Sequence, residues 1–176
     1  MVEARAMIRA MASMTASPRE ILTAVNRVLL RDLEKGRFVT AFFALLDPLK
    51  RTLTMANAGH TPLLLCRDVG KTIVQVQGKG LVLGVVADEK FQGTLTEERV
   101  DLYPGDRFLL YSDGVSELMN PVNEEFGMER LGTWLRVNAH LWSEDAVRSL
   151  ASALEVHRAG QQQSDDITIL TCRVEP

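Results

Sequence analysis

Two acidic stretches in this chain each abut a β-prone run. Phe108-Leu109-Leu110-Tyr111 runs straight into Ser112-Asp113-Gly114, and Asp165-Asp166 opens directly into Ile167-Thr168-Ile169-Leu170. If those strands share a sheet in a suitable orientation, the carboxylates meet at one rim. Hard divalent cations such as Mg²⁺ or Mn²⁺ take oxygen ligands of this kind, and two ions about 3.5 to 4 Å apart can clamp a phosphoryl group and activate water. Two carboxylates 4 Å apart repel by about 4 kcal/mol at an effective dielectric of 20. Three gathered acids therefore need cations beside them, or some must stay protonated. Each stretch also has a plainer reading, since Asp-Gly after a strand is commonly a turn and Asp-Asp before one a solvated entry.

Other candidates carry less. His60, in Asn57-Ala58-Gly59-His60-Thr61-Pro62, lies in a loop between two strands, where a structural hydrogen-bonding role is expected over one facing a site. His140 and His157 sit in or beside helical segments with no ligand partner at useful spacing, and both are assigned to the surface. Cys66 and Cys172 lie about a hundred positions apart in apolar runs, which suits buried free thiols better than a zinc site or a disulfide. A Ser-His-Asp set could be assembled on paper, but the chain has no Gly-x-Ser-x-Gly elbow, so nucleophilic catalysis is set aside.

The elements that would position the acids follow from periodicity. Met1, Ala4, Met7, Ile8, Met11 and Met14 recur at helical steps, giving a Met-rich face that is either core filler or an adaptable partner surface. A second helix opens with Ser17 as N-cap, Pro18 at its first position and Glu20 in capping-box register. Ile21, Leu22, Val25, Val28, Leu29 and Leu33 form its buried face, and Gly36 is placed to take a left-handed stop. The result is a helical hairpin over residues 1–35.

From Phe38 the period shortens. Strands are expected near Phe38 to Leu46, Thr52 to Asn57, Leu63 to Cys66, Thr72 to Gln75, Thr94 to Leu102, Asp106 to Tyr111 and Ile167 to Val174, with helices near Met128 to Asn138 and from the N-cap candidate Ser143 to Arg158. The breaks at Asp47-Pro48, Arg67 to Gly70, Gly78-Lys79-Gly80 and Pro104-Gly105-Asp106 are short, which favours antiparallel neighbours, because a parallel crossover needs a dozen or more residues. The fold class expected is α+β, with helices packed over antiparallel sheet, in a single domain spanning 1–176.

Composition agrees. Lys+Arg 20 against Asp+Glu 23 leaves a net charge of −3, without the basic excess a nucleic-acid binder needs. Hydrophobic residues at 46% exclude disorder as the main state, yet no apolar run approaches the roughly 20 residues that span a bilayer. A cytoplasmic location without membrane contact is expected.

Taken in order, Phe38-Val39-Thr40-Ala41-Phe42-Phe43, Asn57-Ala58-Gly59-His60, the run Pro104 to Glu117, Phe126-Gly127-Met128-Glu129-Arg130-Leu131 and Asp165-Asp166-Ile167-Thr168 resemble the bacterial stage II sporulation protein E type of PP2C-like (PPM) serine/threonine phosphatase domain. The resemblance covers nearly the whole chain. It implies an antiparallel β-sandwich flanked by helix pairs and a two-metal Mn²⁺ or Mg²⁺ centre, where activated water attacks a phosphoserine or phosphothreonine without a covalent phosphoenzyme. By motif match Asp113 and Asp165 would be metal ligands, Asp166 falls at the neighbouring position, and Gly114 serves the turn that presents Asp113. The implied substrate is a phosphorylated anti-anti-sigma-type protein, with a sensor or receiver domain upstream. The helix pair matched by Met1 to Leu33 would act as a regulatory switch and homodimer surface.

Departures from the pattern shape the expectation. The family supplies, before its first helix, an acid-bearing strand and an Asp-x-Ser-Gly-His-Gly loop that nothing here matches; Val82 stands where Pro is common, and Thr61 where Asn is common. The chain is therefore expected to be N-terminally truncated, holding about three quarters of such a domain, with its metal site incomplete. The alternative from another class is a non-catalytic phosphatase-like module that binds a partner in a sigma-factor regulatory pathway.

Overall fold

The computed structural model describes residues 2–12, 15 and 17–175, the side chains of 2–5 and 7 excepted. Among these the order is α1 (Val2–Ala12), α2 (Pro18–Asp32), β1 (Ala41–Asp47), β2 (Thr52–Ala58), β3 (Leu63–Arg67), β4 (Thr72–Val76), α3 (Asp88–Thr94), β5 (Glu97–Asp101), β6 (Arg107–Tyr111), α4 (Asp113–Ser116), α5 (Gly127–Val137), α6 (Ser143–Arg158) and β7 (Ile169–Arg173). The chain forms two compact units, one running up to His60 and resuming over Gln77–Leu102, the other made of Thr61–Val76 and the chain from Tyr103 onward. Among the named strands every pair is antiparallel, and the breaks at Asp47-Pro48 and Arg67 to Gly70 join neighbours as expected, β1 to β2 and β3 to β4. The strands on either side of Pro104-Gly105-Asp106, β5 and β6, instead belong to different sheets, and the other pairs are reached through long connections.

The first unit holds a sheet of order β1-β2-β5. β2 is central and buried almost throughout, pairing Ala56 with Phe43 and Met55 with Glu98. β5 is an edge strand whose exposed Glu97, Glu98, Arg99 and Asp101 discourage further pairing. Helix α2 buries Leu22, Val25 and Leu29 against Ala56, Ala58 and Phe91. Each such side chain contributes about 1.5 to 3 kcal/mol of burial. Ser17 caps the helix as predicted, accepting from Glu20 N–H at 3.2 Å. Its hydroxyl in turn donates to the Glu97 carboxylate at 2.6 Å, which also accepts from Arg19 N–H at 3.1 Å.

Four expectations need correction. Gly36 does not stop α2: the helix ends at Asp32 with Leu33 as its C-cap, whose N–H donates to Leu29 O, and Gly36 takes its positive φ of 87° in the turn beyond. Residues 88–94, which carry no expected element before the strand placed from Thr94, form α3, anchored by the fully buried Phe91. A seven-residue helix with one buried apolar residue has no periodic face to read. At α6 the cap position belongs to Trp142, with no side-chain cap bond, and Ser143 is the first helical residue. His157 is half-buried and bonded, as described below. Of the Met-rich face, Ile8 packs against the first unit's core, while Met1, Met14 and the side chains of Ala4 and Met7 lie outside the described residues.

The second unit holds a sheet of order β4-β3-β6-β7, with Leu109 opposite Leu64 on one side and Thr171 on the other. Leu131, Trp134 and Leu135 of α5 and Leu150 and Leu154 of α6 share one core with Leu64, Leu109 and Tyr111 of the sheet. Cys66 is buried and Cys172 half-buried, both as free thiols. Arg107, fully buried, donates to Ala139 O at 3.2 Å, to Thr171 Oγ1 at 3.0 Å and to Leu141 O, pinning the α5–α6 connection to β6. Burial pushes its pKa below the ordinary guanidinium value, and the three acceptors satisfy the charge it keeps. Among the described residues, no helix is long and apolar enough to cross a membrane.

Candidate functional site

The two acidic stretches meet because β6 and β7 are hydrogen-bonded neighbours running antiparallel, which sets the end of β6 beside the start of β7 with Tyr111 opposite Ile169. Ser112 then stitches the segments beyond. Its N–H donates to Thr168 O at 3.0 Å, its Oγ donates to Asp166 O at 2.8 Å, and the same Oγ accepts from Thr168 N–H at 2.9 Å. Ser112 occupies the N-cap position of α4 without capping it, its hydroxyl being engaged across the clasp.

Asp113 begins α4, a single turn. Its Oδ1 accepts from Gly114 N–H at 3.0 Å, and its carbonyl accepts from Glu117 N–H at 2.8 Å and Ser116 Oγ at 3.2 Å. Gly114 lies where the two segments come closest: a Cβ there would fall 2.5 Å from Asp166 O and 3.2 Å from Asp165 O. Only glycine permits that approach, which extends the role expected of Gly114 from serving a turn to admitting the second acidic loop. On that loop Asp165 Oδ1 accepts from Asp166 N–H at 2.7 Å, and Asp165 O accepts from Gln163 Nε2 at 2.7 Å.

The side chains of Asp113, Asp165 and Asp166 are all exposed, on a base that is not. Val115, Leu118 and Tyr111 beneath them are buried. Tyr111 donates its hydroxyl to Met128 Sδ at 2.9 Å, and desolvation pushes its pKa up to about 12. The structure thus brings the loops of all four expected residues, Asp113, Gly114, Asp165 and Asp166, to one rim. Among the described residues no group of three or more His, Cys, Asp or Glu side chains is placed to hold a metal ion. Three exposed carboxylates on adjoining loops are a donor set of hard oxygens, suited to a cation that keeps several waters and takes only one or two carboxylates.

The histidine loop serves structure. His60 N–H donates to Asn57 Oδ1 at 2.7 Å and Asn57 Nδ2 donates to His60 O at 3.0 Å, closing a turn around buried Asn57. Gly80, in the glycine-rich loop, packs so tightly on Asn57 O that a Cβ would collide with it. Sequence reasoning missed Ser112 as the clasp; its only signal was a small hydroxyl residue between a strand and an acid.

The family model for Stage II sporulation protein E (SpoIIE) matches residues 1–175. The chain belongs to the SpoIIE family. Among relatives of similar sequence, the phosphoserine phosphatase RsbU of Bacillus subtilis is 28% identical over 158 residues, covering 89% of this chain and 45% of RsbU. The chain thus spans less than half of that relative's length. The SiaA-PP2C domain of Pseudomonas aeruginosa superposes with a TM-score of 0.83 at 25% identity, over 97% of this chain and 67% of that one. The phosphatase domain of SpoIIE from Bacillus subtilis, presoaked in Mn, superposes with a TM-score of 0.61 at 17% identity, over 98% of this chain and 74% of that one. The antiparallel sheets and helices of this SpoIIE-family chain therefore follow the PP2C-like fold expected from its motifs.

Proposed function

We propose that this SpoIIE-family chain is the phosphatase part of a bacterial signalling protein, hydrolysing phosphoserine or phosphothreonine on an anti-anti-sigma-type protein in a divalent-metal-dependent reaction. The observation that carries the reading is the Ser112 clasp, which holds the Asp113 turn against the Asp165–Asp166 loop on one exposed rim.

The donor set fits one hard cation, Mn²⁺ or Mg²⁺. Asp113 and Asp165 are the proposed ligands, with Asp166 beside them. When bound, such an ion supplies positive charge against phosphoryl oxygens and acidifies water. The chain's own residues do the rest. Ser112 and Gly114 fix the spacing of the two loops, and buried Val115 and Leu118 anchor the turn that carries Asp113. Exposure of the rim leaves room for a phosphorylated segment of a protein substrate. A second ion would need ligands beyond those that the described residues gather. That same observation favours the second reading, a non-catalytic phosphatase-like module binding a partner in a sigma-factor pathway.

The proposal includes a cytoplasmic setting, a sensor or receiver domain upstream, and homodimerisation through the α1–α2 pair. The experiment measures Mn²⁺-dependent phosphate release from a phosphoserine protein by the full-length protein and by its Asp113→Asn variant. The phosphatase reading expects release from the first and at least about a hundredfold less from the second, as loss of a group acting on the transition state would give. Equal release removes Asp113 from the reaction, and no release from either favours the binding module.

A further inference from the structure

The segment that follows Asp113 is fastened from α6, by a residue whose sequence context pointed only to the surface. Leu118, just beyond α4, is buried, and its carbonyl oxygen lies 2.8 Å from the N–H of Phe126 and 3.1 Å from His157 Nε2. The same Nε2 lies 3.1 Å from Glu124 O. Carbonyl oxygens only accept, so Nε2 carries the proton and divides it between the two. The imidazole also meets the Phe126 ring edge-on, with centroids 5.3 Å apart.

Between these points the chain closes on itself. Asn120 Oδ1 accepts from the N–H groups of Val122 at 3.0 Å and Glu124 at 2.9 Å, and Asn120 N–H donates to Glu124 O at 3.0 Å. Arg130 adds a bond to Glu125 O at 2.8 Å from the side of α5. Asp113 therefore rides on a one-turn helix held in front by the Ser112 clasp and behind by Leu118, whose oxygen is where the loop closure and His157 converge.

We propose that His157 is a positioning residue for the Asp113 rim: its Nε2–H fixes the path of residues 117–126 and, through Leu118, the setting of α4. The donor is the working part of the side chain, and the ring contact with Phe126 is secondary. The effect on turnover rests on the phosphatase reading above, whereas the effect on local order does not.

Two substitutions separate donor from ring. His157→Phe keeps an aromatic ring beside Phe126 and removes the donor; His157→Gln removes the ring and returns an amide N–H at similar reach. Amide hydrogen exchange of the full-length protein is followed by mass spectrometry in the absence of metal, with peptides from β2 as the internal reference. The expected result is exchange about tenfold faster over 117–126 in His157→Phe, as loss of a shared hydrogen bond would give, with β2 unchanged and His157→Gln near the wild type. Phosphate release should fall in the first variant and recover in the second. Unchanged exchange in His157→Phe overturns the proposal, as does equal loosening by His157→Gln, or loosening that extends to β2 and so marks His157 as a general core residue. A wild type without phosphatase activity would count against the phosphatase reading, and the exchange comparison would still decide the role of His157.

Discussion

Helix α2 in the first unit and the α5–α6 pair in the second each lie on an antiparallel sheet, but their polar fastenings differ in where charge is placed. Around α2 the buried tie is an uncharged side chain: Asn26 Nδ2 donates to Val86 O at 3.0 Å and to Asp88 Oδ1 at 3.3 Å, and its Oδ1 accepts from Gly84 N–H at 2.9 Å. The charged tie, Arg27 to Asp88 at 2.5 Å, lies at the surface, with the arginine side chain 55% and the aspartate 25% exposed. At the α5–α6 connection the order is reversed. Arg107 is buried and holds Ala139 and Leu141, while Arg173 reaches His140 O and lies over the Trp142 ring at 4.3 Å. Carbonyls of three successive residues are thus gripped by two guanidinium groups. A buried charge tolerates few arrangements of its acceptors, because each lost partner leaves a desolvated ion. The unit bearing the acidic rim is accordingly built around one fixed connection, and α2 around a buried amide and one surface ion pair that salt can weaken.

A graded series of substitutions can break that comparison. Arg107→Ala should cost about 3 to 5 kcal/mol, combining a large cavity with orphaned carbonyls at Ala139 and Leu141. Asn26→Ala should cost about 2 kcal/mol, leaving Gly84 N–H and Val86 O without their partner. Arg27→Ala should cost under about 1 kcal/mol, and less again in high salt. Urea denaturation followed by far-ultraviolet circular dichroism ranks the three, and a repeat at high salt tests the last. If Arg107→Ala proved no more costly than Arg27→Ala, the contrast between the units would fail.

The sequence disclosed what rests on local chemistry. Ser17-Pro18-Arg19-Glu20 announces the start of α2 because a hydroxyl cap, a proline with no N–H to lose and an acid in the first turn all favour the same geometry. Antiparallel pairing of β1 with β2 and of β3 with β4 was legible from connections too short to cross over, whereas the pairs joined by long connections were not. Helix α3 was not, since Phe91 is its one buried residue. Gly36 misled because a glycine after an apolar run suits a helix stop and a later turn equally well. At the site, Asp113 and Asp165 stood out as acids abutting strand ends, and the neighbouring placement of β6 and β7 brought their loops together. Ser112 and His157 did not stand out. Each acts through partners more than 30 positions away, and neither residue type nor spacing encodes a bond that exists only once β7 and α6 have folded against their neighbours.

The central claim is that Asp113 and Asp165 serve one cation on one rim. The most direct measurement is a Mn²⁺ titration by calorimetry of the full-length protein, of Asp113→Asn, of Asp165→Asn and of the double variant. Ligands of one ion act as a unit, so each single variant should bind at least about tenfold more weakly, and the double variant should lose much less than the sum of the two. Wild-type affinity in Asp165→Asn, or losses that add in full, would contradict a shared site.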